Sequence, residues 1–200
     1  MEPSEELLQK NHPLPAPEVP QTKKESMLDF LKFGILAVII VIPIRLYIAQ
    51  PFVVSGASMV PSFHNGNYLI IDEVSYRFEE PTRGEVIVFR LPQETSKFLI
   101  KRIAGLPSET IFIKGNEITI KNTENPEGFL WPQGDLNGAT STGDLEITLG
   151  SDEYFVLGDN RNASADSRLW GTLKRELIVG RPFLRLFPIS DLGVFPGEWK

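Results

Sequence analysis

Residues 97–107, KFLIKRIAGLP, indicate most directly which fold class this chain adopts. The stretch is rich in aliphatic residues and ends in Gly and Pro, which is typical of a strand. Side chains alternate along a strand, so Lys101 would lie between aliphatic neighbours on one face and Arg102 on the other. The alternative is that the two form a solvated basic pair, since most lysines are exposed.

Similar short segments recur along the chain after residue 50. Each is strand-like and is bounded by Gly, Pro, Asn or Asp: 68–71, 86–89, 99–103, 111–113, 118–120, 145–149 and 154–157. Residues 111–120 predict a hairpin that turns at Gly115-Asn116. We therefore predict a mainly β domain over residues 50–200, antiparallel and either a sandwich or a coiled, barrel-like sheet. An extended insertion rich in Asn, Gly, Pro and Thr is expected at 122–143.

A second stretch, residues 54–63 with the sequence VSGASMVPSF, contains our candidate nucleophile, Ser58. Gly56 and Ala57 precede it, and such small neighbours let a substrate backbone approach the hydroxyl. A serine hydroxyl is unreactive at neutral pH unless another group removes its proton. The chain must therefore also supply a base.

Few side chains in the sequence can be that base. The chain has no cysteine and two histidines, His12 in a Pro-rich tail and His64 in a turn-like HNG. A Cys/His metal site is thus close to excluded, and a Ser-His-Asp triad would depend on His64, which we interpret as a turn residue. Lys101 is the better base, because burial between aliphatic side chains would lower its pKa and favour the neutral amine.

Five motifs occur in order along the chain and resemble the motif series of the type I signal peptidases. They are VSGASMVPSF, GNYLIIDEVSYRF, RGEVIVFRLP, KRIAGLP and GDNRNASADSRLWG, which begin at residues 54, 66, 83, 101 and 158. The resemblance extends over residues 48–188. It implies a membrane-bound serine endopeptidase that cleaves signal peptides from secretory preproteins after a small-x-small motif, with Ser58 as nucleophile and Lys101 as general base. Such chemistry requires no metal or organic cofactor.

The last of these motifs contains four residues to which the resemblance assigns supporting roles. Ser164 matches a serine that hydrogen-bonds and orients the catalytic lysine. Asp166 and Arg168 match a structural ion pair near the active site, and Asp159 matches a further carboxylate. From the residues alone, Asp166 and Arg168 would be interpreted as a pair that stabilises a loop.

Contacts with substrate follow from the same resemblance and from strand pairing. A substrate would add as an extended strand beside residues 52–56 and 98–100, where small apolar pockets would accept small side chains. The residues expected to bind it are Phe52, Val54, Phe98 and Ile100. The Ser58 N–H would be one donor to the oxyanion. Some family members use a serine two positions earlier, where this chain has Gly56, so a backbone N–H must substitute there.

The N-terminal part of the chain has a different composition. Residues 1–26 contain five prolines and no apolar period, which predicts a disordered tail. Residues 27–49 are apolar apart from a few polar positions, and we expect an uncleaved transmembrane signal anchor there. The alternatives are a buried helix and a cleaved signal peptide.

Basic residues around this segment predict its orientation. Lys23, Lys24 and Lys32 lie on its N-terminal side, whereas after Arg45 the next basic residue is Arg77. The positive-inside rule then puts the tail in the cytoplasm and residues 50–200 outside. We expect a single-pass protein of the plasma membrane, or of a thylakoid membrane. Apolar residues near the anchor and at 183–187 are expected to contact phospholipid.

Composition limits the other classes of function. The net charge of -6 argues against a nucleic-acid partner, which would require a basic face. Two other interpretations stay open: a relative of the self-cleaving SOS repressors, which share the Ser/Lys dyad, and a membrane-tethered β-rich binding module in which Ser58 and Lys101 are incidental. The sequence does not indicate an oligomeric state.

Overall fold

The structure is a computed structural model, and it describes residues 23–47, 49–115, 117–131 and 144–198. The predicted tail up to residue 22 and residues 132–143 of the expected insertion lie outside the described residues. The chain divides into two compact units, Met1–Val41 and Ile42–Lys200. Every residue of the candidate site belongs to the second unit.

Helix α1, Lys23–Tyr47, contains most of the apolar segment that the sequence analysis interprets as an anchor. Between Met27 and Val41 every large apolar side chain is more than half exposed. Among the described residues we found no helix that combines the length and the apolar character needed to cross a membrane.

The described part of the second unit contains twelve strands joined by loops and short turns of 3₁₀ helix. The strands are β1 (Ala49–Val53), β2 (Tyr68–Asp72), β3 (Val86–Leu91), β4 (Glu94–Gly105), β5 (Thr110–Lys114), β6 (Glu117–Lys121), β7 (Phe129–Leu130), β8 (Leu145–Thr148), β9 (Glu153–Leu157), β10 (Leu173–Lys174), β11 (Ile178–Phe187) and β12 (Gly193–Val194). A one-turn helix, α2 (Ser167–Trp170), lies between β9 and β10.

Antiparallel pairing joins these strands into two sheets. The larger sheet has the order β1-β2-β11-β3-β4-β9-β10, with β12 added to β11, and the smaller has the order β7-β6-β5-β8. The prediction of a mainly β, antiparallel domain is therefore confirmed. The β5 and β6 strands pair up to Lys114 and Glu117, as the predicted hairpin requires. Of the expected insertion, residues 122–131 are described, and they return the chain so that β7 pairs with β6.

Five strands were not predicted from the sequence: the two-residue strands β7, β10 and β12, and the longer strands β1 and β11. The apolar run before residue 54 conceals β1, because it continues the helix without a change in composition. Strand β11 contains Gly180 and Pro182, and its pairing with β2 shifts register between Pro182 and Leu184. Both features interrupt the regular alternation by which a strand is recognised.

Strands β3 and β4 lie between two hydrophobic cores, and this position controls the burial of the site. In β3, Val86 and Val88 pack into one core, while Ile87 and Phe89 pack into the other. The next strand continues the pattern, with Ile103 in the second core and Ile100 packed against the first. A strand covered on both faces buries its polar residues as well as its apolar ones.

Candidate active site

Ser58 lies in the loop that joins β1 to β2, and buried neighbours fix this loop. Met59 and Phe63 are fully buried in the core beneath it. The Phe63 N–H donates to the Met59 carbonyl at 2.8 Å, and the Val54 N–H donates to the Asn67 carbonyl at 2.9 Å. The chain is thus anchored on both sides of the half-buried Ser58.

Lys101 reaches Ser58 from β4. Its Nζ donates to the Ser58 Oγ at 2.7 Å and to the Ile100 carbonyl at 2.9 Å. The lysine is 3% exposed, and the neighbouring Arg102 is 2% exposed. The alternative of a solvated basic pair is therefore wrong, because both faces of β4 are covered.

Burial also changes the acidity of the lysine. Loss of water around the ammonium lowers the pKa of Lys101 to about 8, although Asp166 and Asp159 oppose the change. A buried cation without a partner in direct contact is unfavourable, so the neutral form gains population. At pH 7 about a tenth of this lysine is then neutral and can accept a proton, far more than for an exposed lysine.

His64, the other candidate base, lies in a turn, as interpreted from the sequence. Its N–H donates to the Asn67 Oδ1 at 3.0 Å, and its carbonyl accepts from the Asn67 N–H at 3.1 Å. The residue is exposed, and within the described part of the chain its side chain makes no hydrogen bond to Ser58.

Arg102 points away from the lysine and forms a buried ion pair with Asp159. Its Nε and Nη2 donate to the two carboxylate oxygens at 2.8 and 2.6 Å, while Nη1 donates to the carbonyls of Gly84 and Gly197 at 2.7 Å. The Ser62 hydroxyl donates to the same carboxylate at 2.5 Å. This cluster connects β4 to the nucleophile loop and to the loop after β9.

The sequence analysis missed the roles of Arg102 and Ser62. Their partner, Asp159, lies 57 residues beyond Arg102 in sequence, so no local pattern connects them. The available signal was the alternation along β4, which predicts that Arg102 faces away from Lys101. Arg102 needs a carboxylate partner only because both faces of β4 are buried there, and the alternation alone does not show that burial.

The loop after β9, residues 158–166, packs directly on the nucleophile. The Asn160 N–H donates to the Ser58 carbonyl at 3.0 Å, and its side-chain amide donates to the Ala57 carbonyl at 3.2 Å. A Cβ on Gly158 would come within 2.6 Å of the Ser58 carbonyl oxygen. Glycine at 158 thus permits the close approach, and Asn160 is a positioning residue that the sequence analysis did not identify.

Asp166 and Arg168 hold this loop in its folded shape. The Arg168 Nε donates to one oxygen of Asp166 at 2.8 Å, and Nη2 donates to the other at 2.9 Å. Nη2 also donates to the Arg161 carbonyl at 2.7 Å, and the Gly158 N–H donates to Asp166 at 3.0 Å. Asp166 is 0% exposed, so the pair is shielded from solvent.

Within the described residues, Ser164 does not form the hydrogen bond to the lysine that the resemblance implied. Its Oγ is buried and, among the described residues, has no hydrogen-bond partner. Lys101 donates instead to Ser58 and to its own strand. In this conformation the lysine is oriented by these two bonds and by its burial.

The backbone donors expected at the oxyanion differ in availability. Gly56 has a φ of +91°, which glycine adopts readily, and its N–H donates to the Asn65 Oδ1 at 3.0 Å. That N–H is therefore occupied in this structure, and the assignment of Gly56 as the second oxyanion donor stays a prediction. The Ser58 N–H makes no hydrogen bond within the described part of the chain.

Two clefts meet at the Ser58–Lys101 pair. The smaller has a volume of about 120 Å³, and its walls include all four residues expected to bind substrate: Phe52, Val54, Phe98 and Ile100. The rings of Phe52 and Phe98 meet edge to face with centroids 5.2 Å apart, which connects β1 to β4. The larger cleft, of about 320 Å³, is lined by Ala57, Leu91, Lys97, Ala163 and Trp170, among others.

Unpaired strand edges border the smaller cleft. Among the described strands, β1 ends the larger sheet and pairs with β2 alone. Strand β4 pairs with β9 from Arg102 onward, so in the described structure its earlier residues pair with β3 alone. Free N–H and C=O groups on these edges can hydrogen-bond an added strand. Within the same described residues no cluster of three or more His, Cys, Asp or Glu could hold a metal ion.

Comparison with known proteins identifies the family. The family described as "Signal peptidase, peptidase S26" matches residues 27–187. A signal peptidase I from Leptolyngbya laminosa is 32% identical over 88% of this chain and 88% of its own. A probable signal peptidase I-2 from Synechocystis is 34% identical over 88% of this chain and 83% of its own. A crystal structure of a signal peptidase I from Enterococcus faecalis matches 52% of this chain and 97% of that chain, with 28% identity and a TM-score of 0.43. Because the family match covers most of its length, the chain belongs to the signal peptidase family, peptidase S26.

Proposed function

We propose that this protein is a membrane-bound serine endopeptidase that removes N-terminal signal peptides from exported preproteins by cutting after a small-x-small motif. The observation that carries the proposal is the 2.7 Å hydrogen bond between the Lys101 Nζ and the Ser58 Oγ. Membership in a peptidase family supports hydrolysis of a peptide bond, and the names of the relatives support a signal peptide as the substrate.

The first chemical step is acylation of the serine. Neutral Lys101 keeps one N–H bond to the Ile100 carbonyl, so its lone pair can accept the proton of the Ser58 hydroxyl. The serine oxygen then attacks the scissile carbonyl, and the amine of the mature protein leaves with the proton that Lys101 gives back. The products of this step are an acyl-enzyme and a released C-terminal fragment.

The second step is hydrolysis of the acyl-enzyme. Lys101, neutral again, removes a proton from water, which attacks the ester; the proton then passes to the Ser58 oxygen as the ester bond breaks, and the signal peptide leaves with a new C-terminal carboxyl group. The Ser58 N–H lacks a partner within the described residues and is the first oxyanion donor. A second backbone donor at Gly56 requires that its bond to Asn65 opens when substrate binds.

We further propose that substrate binds as a strand added between β1 and β4. The free edges of these strands supply backbone partners, and the small cleft accepts small side chains before the cut. Asp166, Arg168 and Asp159 support the site by holding the loop that packs on Ser58, and Ser164 of the same loop would orient Lys101 once its hydroxyl turns towards the amine.

Replacing either member of the dyad tests this function. Detergent-solubilised protein should cut a secretory precursor after a small-x-small site, while the Ser58→Ala and Lys101→Ala forms should be at least about 10³-fold slower. Mass spectrometry of the products locates the cut. Absence of cleavage by any form, with folded protein and lipid present, would favour a membrane-tethered binding module. Cleavage only within its own chain would favour a relative of the self-cleaving repressors.

Residues 27–49 are proposed as the signal anchor, with residues 1–26 as a cytoplasmic tail. The exposed apolar side chains between Met27 and Val41 support this, because water is an unfavourable environment for them. The lysines before the segment support a cytoplasmic N-terminus and a catalytic domain outside the plasma membrane, or across a thylakoid membrane. Protease added outside intact spheroplasts should then digest the catalytic domain. Its protection until the spheroplasts are lysed would reverse the topology.

A further inference from the structure

We propose that the larger cleft beside Ser58 binds the first residues of the mature protein, after the scissile bond, and favours an acidic side chain there. This inference rests on the proposed function. It assigns a role to the 320 Å³ cleft that catalysis itself does not require.

The relative size of the two clefts determines which part of the substrate each one holds. Both reach Ser58 and Lys101, so an extended chain that crosses the nucleophile enters one cleft before the cut and the other after it. Small side chains precede the proposed cut, and the cleft of about 120 Å³ suits them. The cleft of about 320 Å³ then holds the residues that follow.

The charge of the larger cleft favours an anion. Its lining residues include two lysines, Lys97 and Lys101, and no Asp or Glu. Lys101 is neutral when it works as a base, so Lys97 provides the constant charge. Lys97 is exposed, and within the described residues it forms no ion pair. A carboxylate on the substrate would therefore meet an available ammonium.

Much of the remaining wall is apolar, and one of its rings is held by the core. Leu91 and Trp170 both line the cleft, and the Trp170 ring packs on the buried Phe89 with centroids 5.8 Å apart. Because the core already fixes this ring, little side-chain entropy is lost when the ring contacts a bound peptide. The cleft is thus suited to an extended segment with one acidic residue among apolar or small ones.

Peptide substrates that differ only after the cut test the inference. Four pairs of peptides, with Asp or Lys at one of the first four positions after the scissile bond, are cleaved by the full-length protein in detergent. For at least one position we expect kcat/KM to be about 2- to 5-fold higher with Asp, the size expected of one exposed ion pair. The ratio should decrease towards one in high salt, because screening weakens the attraction.

Charge reversal then identifies the residue responsible. Lys97→Glu should invert the preference, so that the Lys peptide becomes the better substrate. Lys114→Glu, which makes the same change at an exposed position on the β5–β6 hairpin, should leave the ratio unchanged.

The outcomes separate this inference from the proposed function. Cleavage at equal rates for Asp and Lys at all four positions, or an unaltered preference in Lys97→Glu, would overturn the inference and leave the proposed function standing. Failure to cleave any peptide would overturn the proposed function itself. If Lys97→Glu is poorly folded, the salt dependence of the wild-type ratio decides the question alone.

Discussion

At the level of single residues, the protonation of Lys101 sets the pH range in which the dyad can work. Burial lowers the pKa of this lysine to about 8, and only its neutral form can accept the serine proton. The lysine is mostly protonated below that pH and mostly neutral above it. The same desolvation that disfavours the charged group in the folded state thus produces the base.

We therefore expect kcat/KM to rise with pH through an apparent pKa of about 8 and to level off above it. A pH–rate profile on a peptide substrate measures this directly. Lys114→Gln, a change at an exposed lysine, should give the same curve. If the rate instead rises with an apparent pKa of about 6.5, the ordinary value for a histidine, the result would indicate His64 as the base.

Individual residues also differ in how far the sequence could predict them. Ser58 and Lys101 were identified because their chemistry and their motifs are local. The Arg102–Asp159 pair was missed, because its members are brought together only when β4 and the loop after β9 pack against each other. The bond from Gly56 to Asn65 likewise depends on a turn geometry that composition does not specify.

At the level of elements, the loop of residues 158–166 determines where the nucleophile lies. It contacts the backbone of Ser58 and Ala57 through Asn160, and it is held by Asp166 and Arg168. Gly158 is the point of closest approach, where an added Cβ would overlap Ser164 and the Ser58 carbonyl. Movement of this loop would therefore displace the serine oxygen relative to Lys101.

Gly158→Ala should lower kcat by at least about tenfold, because the new Cβ would overlap the Ser58 carbonyl oxygen and displace Ser58 relative to Lys101. Peptide cleavage under saturating substrate measures the change. Gly193→Ala is the matched control, since its new Cβ would have no neighbour closer than 3.9 Å. Equal activity of the two variants would mean that the loop does not position the nucleophile.

Prediction of elements from the sequence succeeded where alternation was regular. In β5 and β6 buried isoleucines alternate with less buried residues, and this hairpin was predicted together with its turn. Strand β11 pairs with β2, β3 and β12, but its register shifts obscure the pattern. Strand β1 is obscured by the apolar segment before it. Strand β1, which ends the sheet beside the small cleft, was therefore not predicted.

At the level of the whole molecule, the C-terminal part of the second unit exposes a group of apolar side chains. Six of them are between 37% and 78% exposed: Phe183, Leu186, Phe187, Ile189, Leu192 and Val194. Scattered exposed apolar residues are common, but a contiguous set usually marks an interaction surface. We propose that this surface contacts phospholipid, as expected for residues 183–187 from the sequence.

Phospholipid vesicles should then raise the rate of cleavage by the detergent-solubilised protein. The combined variant Ile189→Ser, Leu192→Ser and Val194→Ser should lose most of that stimulation while keeping its rate in detergent. Phe78→Ser, which removes an apolar side chain that is 83% exposed elsewhere, should respond to lipid like the wild type. Identical stimulation of the triple variant and the wild type would exclude this surface as the lipid contact.

Because Lys101 and Arg102 are neighbours on β4, residues cannot be inserted or deleted freely within this strand. The two side chains point to opposite faces, one towards Ser58 and the other towards Asp159. Insertion or deletion of one residue within the strand would exchange them. A guanidinium, which stays protonated, would then occupy the place of the base, and the ammonium would replace the forked partner of Asp159. An odd number of residues inserted or deleted in β4 next to this pair should therefore abolish activity, whereas changes before Glu94 or after Gly105 leave the alternation of this strand intact.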